Sequence, residues 1–171
     1  MEARELPQPQ PQAFELVLRI RHPSMDPDAI SAELQIPAEH CFKAGEPRKP
    51  LSGAERTAGT AAAPTSVHCE TYWLATLNPG WWPVDVSLSG RMSEPLTDIG
   101  KTVLGRALAA CASRFLRPHG AFFHRISSEG GQVRLLVEVN TAVVDGFTLT
   151  PELGREMYSL GVPIDFEFSA S

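Results

Sequence analysis

The sequence predicts an α+β fold: a mostly antiparallel sheet of five to six strands, with one long and two short helices packed on one face. Three observations carry that expectation. Apolar and polar residues alternate with a period of two near both ends of the chain, at 14–21 and 164–168. Two segments open in the same way, Asp26-Pro27 and Thr150-Pro151, each a capping side chain followed by a proline where the first helical residue belongs. Between them, residues 97–117 hold the longest stretch of three- and four-residue apolar spacing.

In chain order, residues 6–12 alternate Pro and Gln and offer nothing to bury, so residues 1–12 are expected to form a disordered tail ahead of a single domain over 13–171. Phe14, Leu16, Leu18 and Ile20 then share one face of a first strand, with Glu15, Arg19 and Arg21 on the other. After the Asp26 cap, Ile30 and Leu34 lie one turn apart, and Pro37 pushes Ile36 out of the helical region, giving a short helix over about 27–35. Residues 45–66 are Gly-, Ala-, Pro-, Thr- and Ser-rich without periodicity, and a mobile loop is expected there. Strand character returns at 67–77. A second extended piece, Val84, Val86 and Leu88, follows the Asn78-Pro79-Gly80 turn.

Thr97 can cap the long helix, whose stripe runs Ile99, Val103, Leu104, Leu108, Cys111 and Phe115 until Pro118 is expected to end it. Residues 121–126 and 133–139 flank Ser127-Ser-Glu-Gly-Gly131 and read as a hairpin with Val133, Leu135, Val137 and Val139 inward. The second cap-then-proline start gives a helix to about Leu160, closed by Gly161. A last strand carries Ile164, Phe166 and Phe168 on one face, Asp165 and Glu167 on the other.

Composition narrows the function classes. The 171 residues carry 15 basic and 20 acidic side chains, a net charge of −5, without the basic excess that phosphate backbones or anionic membranes select. Neither nucleic acid nor membrane is therefore an expected partner. No apolar stretch approaches the roughly 20 residues a bilayer requires, and the N-terminus lacks the pattern of a secretory signal. Three cysteines, Cys41, Cys69 and Cys111, are an odd number without clustered spacing, which favours reduced thiols and a cytoplasmic location.

The run Asp26-Pro-Asp-Ala-Ile-Ser-Ala-Glu-Leu-Gln-Ile-Pro37, then Lys43-Ala-Gly-Glu46, the isolated Trp73, and Leu149-Thr-Pro-Glu-Leu153 with Ser159-Leu-Gly-Val-Pro-Ile-Asp165 resemble the bacterial domain-of-unknown-function family 4279. The resemblance spans nearly the whole chain after the tail. It departs at the alanine- and proline-rich insertion before Trp73 and at Trp81-Trp82. It implies a compact bacterial α+β domain and supplies no catalytic residues.

No complete catalytic or cofactor motif is present, and no cofactor is expected. Gly100-Lys101-Thr102 is reminiscent of a phosphate loop, but Pro95 stands where its first glycine belongs. His40-Cys41 and His68-Cys69 hold four nitrogen and sulfur groups, yet adjacent residues on extended backbone point apart and do not readily share one ion. Asp26 and Asp28 are explained as a cap and a first-turn charge. Three features remain as binding candidates: the arginine face Arg106, Arg114 and Arg117; the Trp81-Trp82 turn; and Lys43 with Glu46 beside the 45–66 loop. They favour a non-catalytic binding or interaction module, of immunity or adaptor type, with a protein partner. The competing expectation is a small-ligand binder or enzyme with its site under the 45–66 loop, using Lys43, Glu46 and His68 or Cys69.

Overall fold

The computed structural model describes residues 14–48, 66–77, 104–141 and 148–169. The expected tail, the 84–88 extended piece, the Thr97 cap and the Trp81-Trp82 turn lie outside the described residues. The fold is α+β, with one mixed five-stranded sheet in the order β2-β3-β1-β4-β5. Its strands are β1 (Phe14–His22), β2 (His40–Phe42), β3 (Thr71–Thr76), β4 (Gln132–Asn140) and β5 (Ile164–Ser169). All neighbours are antiparallel except β4 and β5.

Alternation decides which side of the sheet is roofed. Leu16, Leu18 and Ile20 of β1, Trp73 and Ala75 of β3, and Val133, Leu135, Val137 and Val139 of β4 join one apolar cluster. The helices complete it. In α1 (Pro27–Leu34), Asp26 caps the first turn by accepting from the Asp28 N–H, and Ile30 and Leu34 face the sheet. The indole N–H of the fully buried Trp73 donates to Ser31 Oγ at 2.9 Å, fixing α1 over β3. The helix stops with Gln35 in the left-handed region, at φ 57°, where most residues pay a steric cost.

The long helical stretch departs from the sequence expectation in one informative way. Pro118 does not end it. The α-helical turns at 104–110 (α2) widen into a π turn at Cys111–Leu116, tighten into a 3-10 turn at Arg117–His119, and resume as α3 (Gly120–Ser128). The Arg117 N–H reaches back to the Ala112 carbonyl, and the Gly120 N–H bonds the Arg117 carbonyl. Pro118, which has no N–H to give, thus sits where the ladder changes step. The expected hairpin strand at 121–126 is consequently helix. Gly120, Phe122, Phe123 and Ile126 are its buried residues, a helical spacing that the alternation assigned to 121–126 does not fit.

Gly131 then lets the chain turn tightly into β4: a Cβ there would lie 2.7 Å from the Arg21 carbonyl oxygen. From β4 the chain passes through α4 (Pro151–Leu160), capped by Thr150 accepting from Leu153 N–H at 3.3 Å and closed by Gly161 at φ 65°. Leu153, Met157 and Leu160 face the core. The last strand, β5, then lies parallel to β4, the arrangement a helical crossover permits.

The short strand β2 is not foreseen in the sequence. His40–Phe42 has only three residues, too few to display a period, and is held by pairing with β3. Beyond it the base of the 45–66 segment is closed by backbone pairing. Gly45 and Arg48 donate to the carbonyls of His68 and Ser66, both at 2.8 Å, and Pro47 bridges Val67. Residues 49–65 lie outside the described residues.

Candidate functional site

No helix on the described part of the chain lies against the other side of the sheet. Cross-strand register places Val17, Arg19 and Arg21 of β1 beside Leu136, Arg134 and Gln132 of β4, and beside Thr76, Leu74 and Tyr72 of β3. His40 and Phe42 of β2 extend the same face on one flank; Asp165 of β5 extends it on the other. Period two turns these side chains away from the roofed cluster, although Val17 and Leu136, each 4% exposed, are buried on this side as well.

Two concavities lie on this open side, at the end where β1 stops and β3 and β4 begin. One, of about 170 Å³, is lined by Arg19, Arg21, Gln132, Arg134 and Asp165. The other, of about 340 Å³, has Phe42, Arg48, His68, Cys69 and Glu70 in its wall. The ion pair between Arg21 and Glu70, 3.4 Å, joins the two, since Arg21 lines the first and Glu70 the second.

An aromatic ladder borders the larger hollow. The Phe42 ring stacks on His68 at 3.7 Å and on Tyr72 at 5.2 Å, with His40 edge-on to Tyr72. Arg21 lies 6.0 Å from the Tyr72 ring centre, at the outer reach of a cation–π contact. Aromatic and guanidinium groups therefore run side by side across β2, β3, β1 and β4.

Charge on this surface is unevenly distributed: Glu15, Glu138 and Glu167 meet in one cross-strand row toward one end, and the arginines gather toward the other. Arg134 donates to both carboxylate oxygens of Asp165, at 3.2 and 3.1 Å, and Arg21 has Glu70. Arg19 stands directly opposite Arg134 across the β1–β4 ladder, and among the described residues it forms no ion pair. Its Nε is buried without a hydrogen-bond partner. Like charges opposite one another weaken a sheet, and a buried donor without an acceptor costs about 1–3 kcal/mol. The arrangement is expensive unless an acceptor comes from elsewhere.

The residues singled out in the sequence are distributed differently. Lys43 and Glu46 form a turn: the Glu46 N–H donates to the Lys43 carbonyl at 3.1 Å, the Lys43 N–H to the Glu46 carboxylate at 3.0 Å, with Gly45 between them at φ 84°. The Lys43 ammonium hydrogen-bonds the Asp26 carboxylate beside α1. That contact, with the Asp28 N–H, holds the Asp26 carboxyl below its ordinary value, and the same partner holds Lys43 above its own. Arg117 is tied to Glu156 of α4 through Nε and Nη2, at 3.0 and 2.7 Å. Arg106 and Arg114 are exposed on the helical stretch. Trp81 and Trp82 fall outside the described residues.

Cys41 and Cys69 are exposed and Cys111 is buried, where loss of solvation pushes its thiol up to about 12. No group of three His, Cys, Asp or Glu side chains converges on a metal-sized point among the described residues. His40 and His68 are instead committed to the aromatic ladder. None of the described helices is long and apolar enough to cross a membrane.

Arg19 and Arg21 fall on the polar side of the β1 alternation, which by itself does not mark them as a site. The signal was present in the alternation. What no sequence pattern displays is that β4 pairs with β1 in the register that brings Arg134 opposite Arg19. No family model, curated protein or solved structure matches this chain.

Proposed function

We propose that this chain is a non-catalytic binding module of the bacterial cytoplasm that holds a protein partner against the open face of its sheet. The observation that carries the reading is the adjacency, on four neighbouring strands, of Phe42, Tyr72, Arg21, Arg19 and Arg134, facing outward beside two concavities. Aromatic side chains and arginine are the groups that dominate binding energy at protein interfaces. The arginine face of the helical stretch offers less, because Arg117 is already committed to Glu156. Membership of the family 4279 group is part of the same proposal and rests on the motifs quoted above.

Capture experiments with the full chain test it. A protein retained by the wild type should persist with Arg106→Glu and Arg114→Glu and be lost with Tyr72→Asp and with Arg21→Glu, each variant verified as folded by circular dichroism. The opposite pattern would return the binding surface to the helices.

A second reading has its own support: the 340 Å³ hollow, with Arg48, His68, Cys69 and Glu70 in its wall, adjoins the base of the 45–66 segment, where a small ligand would enter. Lys43 and Glu46 do not line it. Native mass spectrometry of protein from its own cells tests this. A stoichiometric small molecule released on denaturation supports it, and a bare chain counts against it.

A further inference from the structure

We propose that Arg19, flanked by Arg134 and Arg21, is the receptor for one carboxylate side chain of the partner. The assignment rests on the open-face reading and names the chemistry recognised there. Three guanidinium groups line or border the 170 Å³ hollow, and two of them already have carboxylates, Asp165 and Glu70. Among the groups that line the hollow and their ion-pair partners, one positive charge is left over. It belongs to Arg19, whose Nε is buried and lacks an acceptor.

The planar fork of a guanidinium matches a carboxylate with two parallel hydrogen bonds, and such charge-assisted bonds are about twice as strong as neutral ones. A single carboxylate neutralises the surplus, supplies the missing acceptor and relieves the opposition of Arg19 and Arg134. A phosphate dianion would overcompensate and press its second charge toward Asp165. The hollow therefore fits a glutamate or aspartate of an acidic segment, with the Tyr72 and Phe42 rings beside it for a neighbouring apolar residue.

The full chain, labelled with nitrogen-15, is titrated with N-acetylglutamate amide, which carries one carboxylate, and with inorganic phosphate, both against sodium chloride at equal ionic strength. The arginine Nε–Hε signals are followed. The Arg19 signal, identified by its disappearance in Arg19→Gln, is expected to move saturably with the carboxylate, and the Arg106 signal to move no more than in chloride. Binding should weaken about tenfold in Arg19→Gln, read on the Gln132 backbone amide, the loss of one charge-assisted contact. It should tighten about threefold in Asp165→Asn, where a competing anion is removed.

Movement no greater than in chloride overturns the proposal. Tighter binding of phosphate than of the carboxylate overturns it in favour of a phosphate site. The partner-capture assay separates this from the wider reading. Loss of the partner with Tyr72→Asp but full retention with Arg19→Gln removes the carboxylate receptor and leaves the open face standing; retention with both removes the two together.

Discussion

The two sides of one sheet obey the same alternation and are finished in opposite ways. On the roofed side, Leu18, Ile20, Trp73, Leu135 and Val137 are fully buried among helix side chains that differ from them only in shape. On the open side, the intervening residues of the same strands put Arg19 against Arg134 and leave a buried donor without an acceptor. The first arrangement is what folding alone would select. The second lowers stability, a cost that the proposed binding would offset.

That contrast can be tested by substitution on each side. The largest effect is expected at the roofed side. Trp73→Ala should destabilise the protein by about 3–5 kcal/mol in denaturant unfolding, since it opens a cavity and strands Ser31 Oγ. Trp73→Phe should cost clearly less. A loss below about 1 kcal/mol for the alanine variant would mean that the roof is not where stability resides.

Next comes the alkaline limit. The Cys111 thiol is raised from 9.0 to about 12 by burial, so the folded state keeps a proton that the unfolded chain gives up above pH 9. Stability from this group is complete below pH 9 and is lost as pH rises toward 12. Melting temperatures should fall through that window and fall less in Cys111→Ala, after allowance for its packing cost. In native protein Cys41 and Cys69 should react promptly with a thiol reagent, and Cys111 only on unfolding. His119, pulled below 6.5 chiefly by burial, gives the reverse sign: its contribution is present above pH 6.5 and declines as pH falls through its folded value.

Removing the α4 cap with Thr150→Ala should cost about 1 kcal/mol, a moderate loosening of the roof measured by thermal melting. On the open side the expected sign changes. Arg19→Thr should leave stability unchanged or raise it by up to about 1 kcal/mol, because losing the opposition to Arg134 and the unpaired Nε offsets the lost packing of the arginine stem, while carboxylate binding weakens about tenfold. A large loss would show that Arg19 is structural. An effect no larger is expected for Asp165→Asn, which breaks an exposed ion pair worth about 0–1 kcal/mol.

Much of the roofed side was legible in the sequence because its signals are local. The β1 alternation, the Asp26 and Thr150 caps, the prolines behind them and Gly161 each act within a turn or a strand, and each element lies where those residues put it. Two local rules failed together at Pro118. Proline is a strong stop signal read alone, but here a π turn before it and a 3-10 turn around it absorb the missing N–H. A helix that stops at Pro118 leaves Ala121–Ile126 to be read as a strand, whereas the continued helix buries Phe122, Phe123 and Ile126. The open face was illegible for a different reason. Its residues come from β2, β3, β1, β4 and β5, and their meeting depends on strand order and register, which no window of one sequence contains. The Lys43–Glu46 pair illustrates the converse: a spacing suggestive of a site closes a turn and anchors beside α1.

The widened turn at Cys111–Leu116 also sets how the chain tolerates changes in length. A turn closed by an i to i+5 bond contains one residue more than the α turn it replaces, so a one-residue deletion there could be absorbed locally by restoring ordinary helix. The residues beyond it then keep their phase, and Phe122, Phe123 and Ile126 stay on the sheet. Inside the regular turns of α3 the same deletion has no such outlet and rotates everything after it by about 100° about the axis. One-residue deletions should therefore be tolerated at 111–116 and destabilise the protein within 120–128.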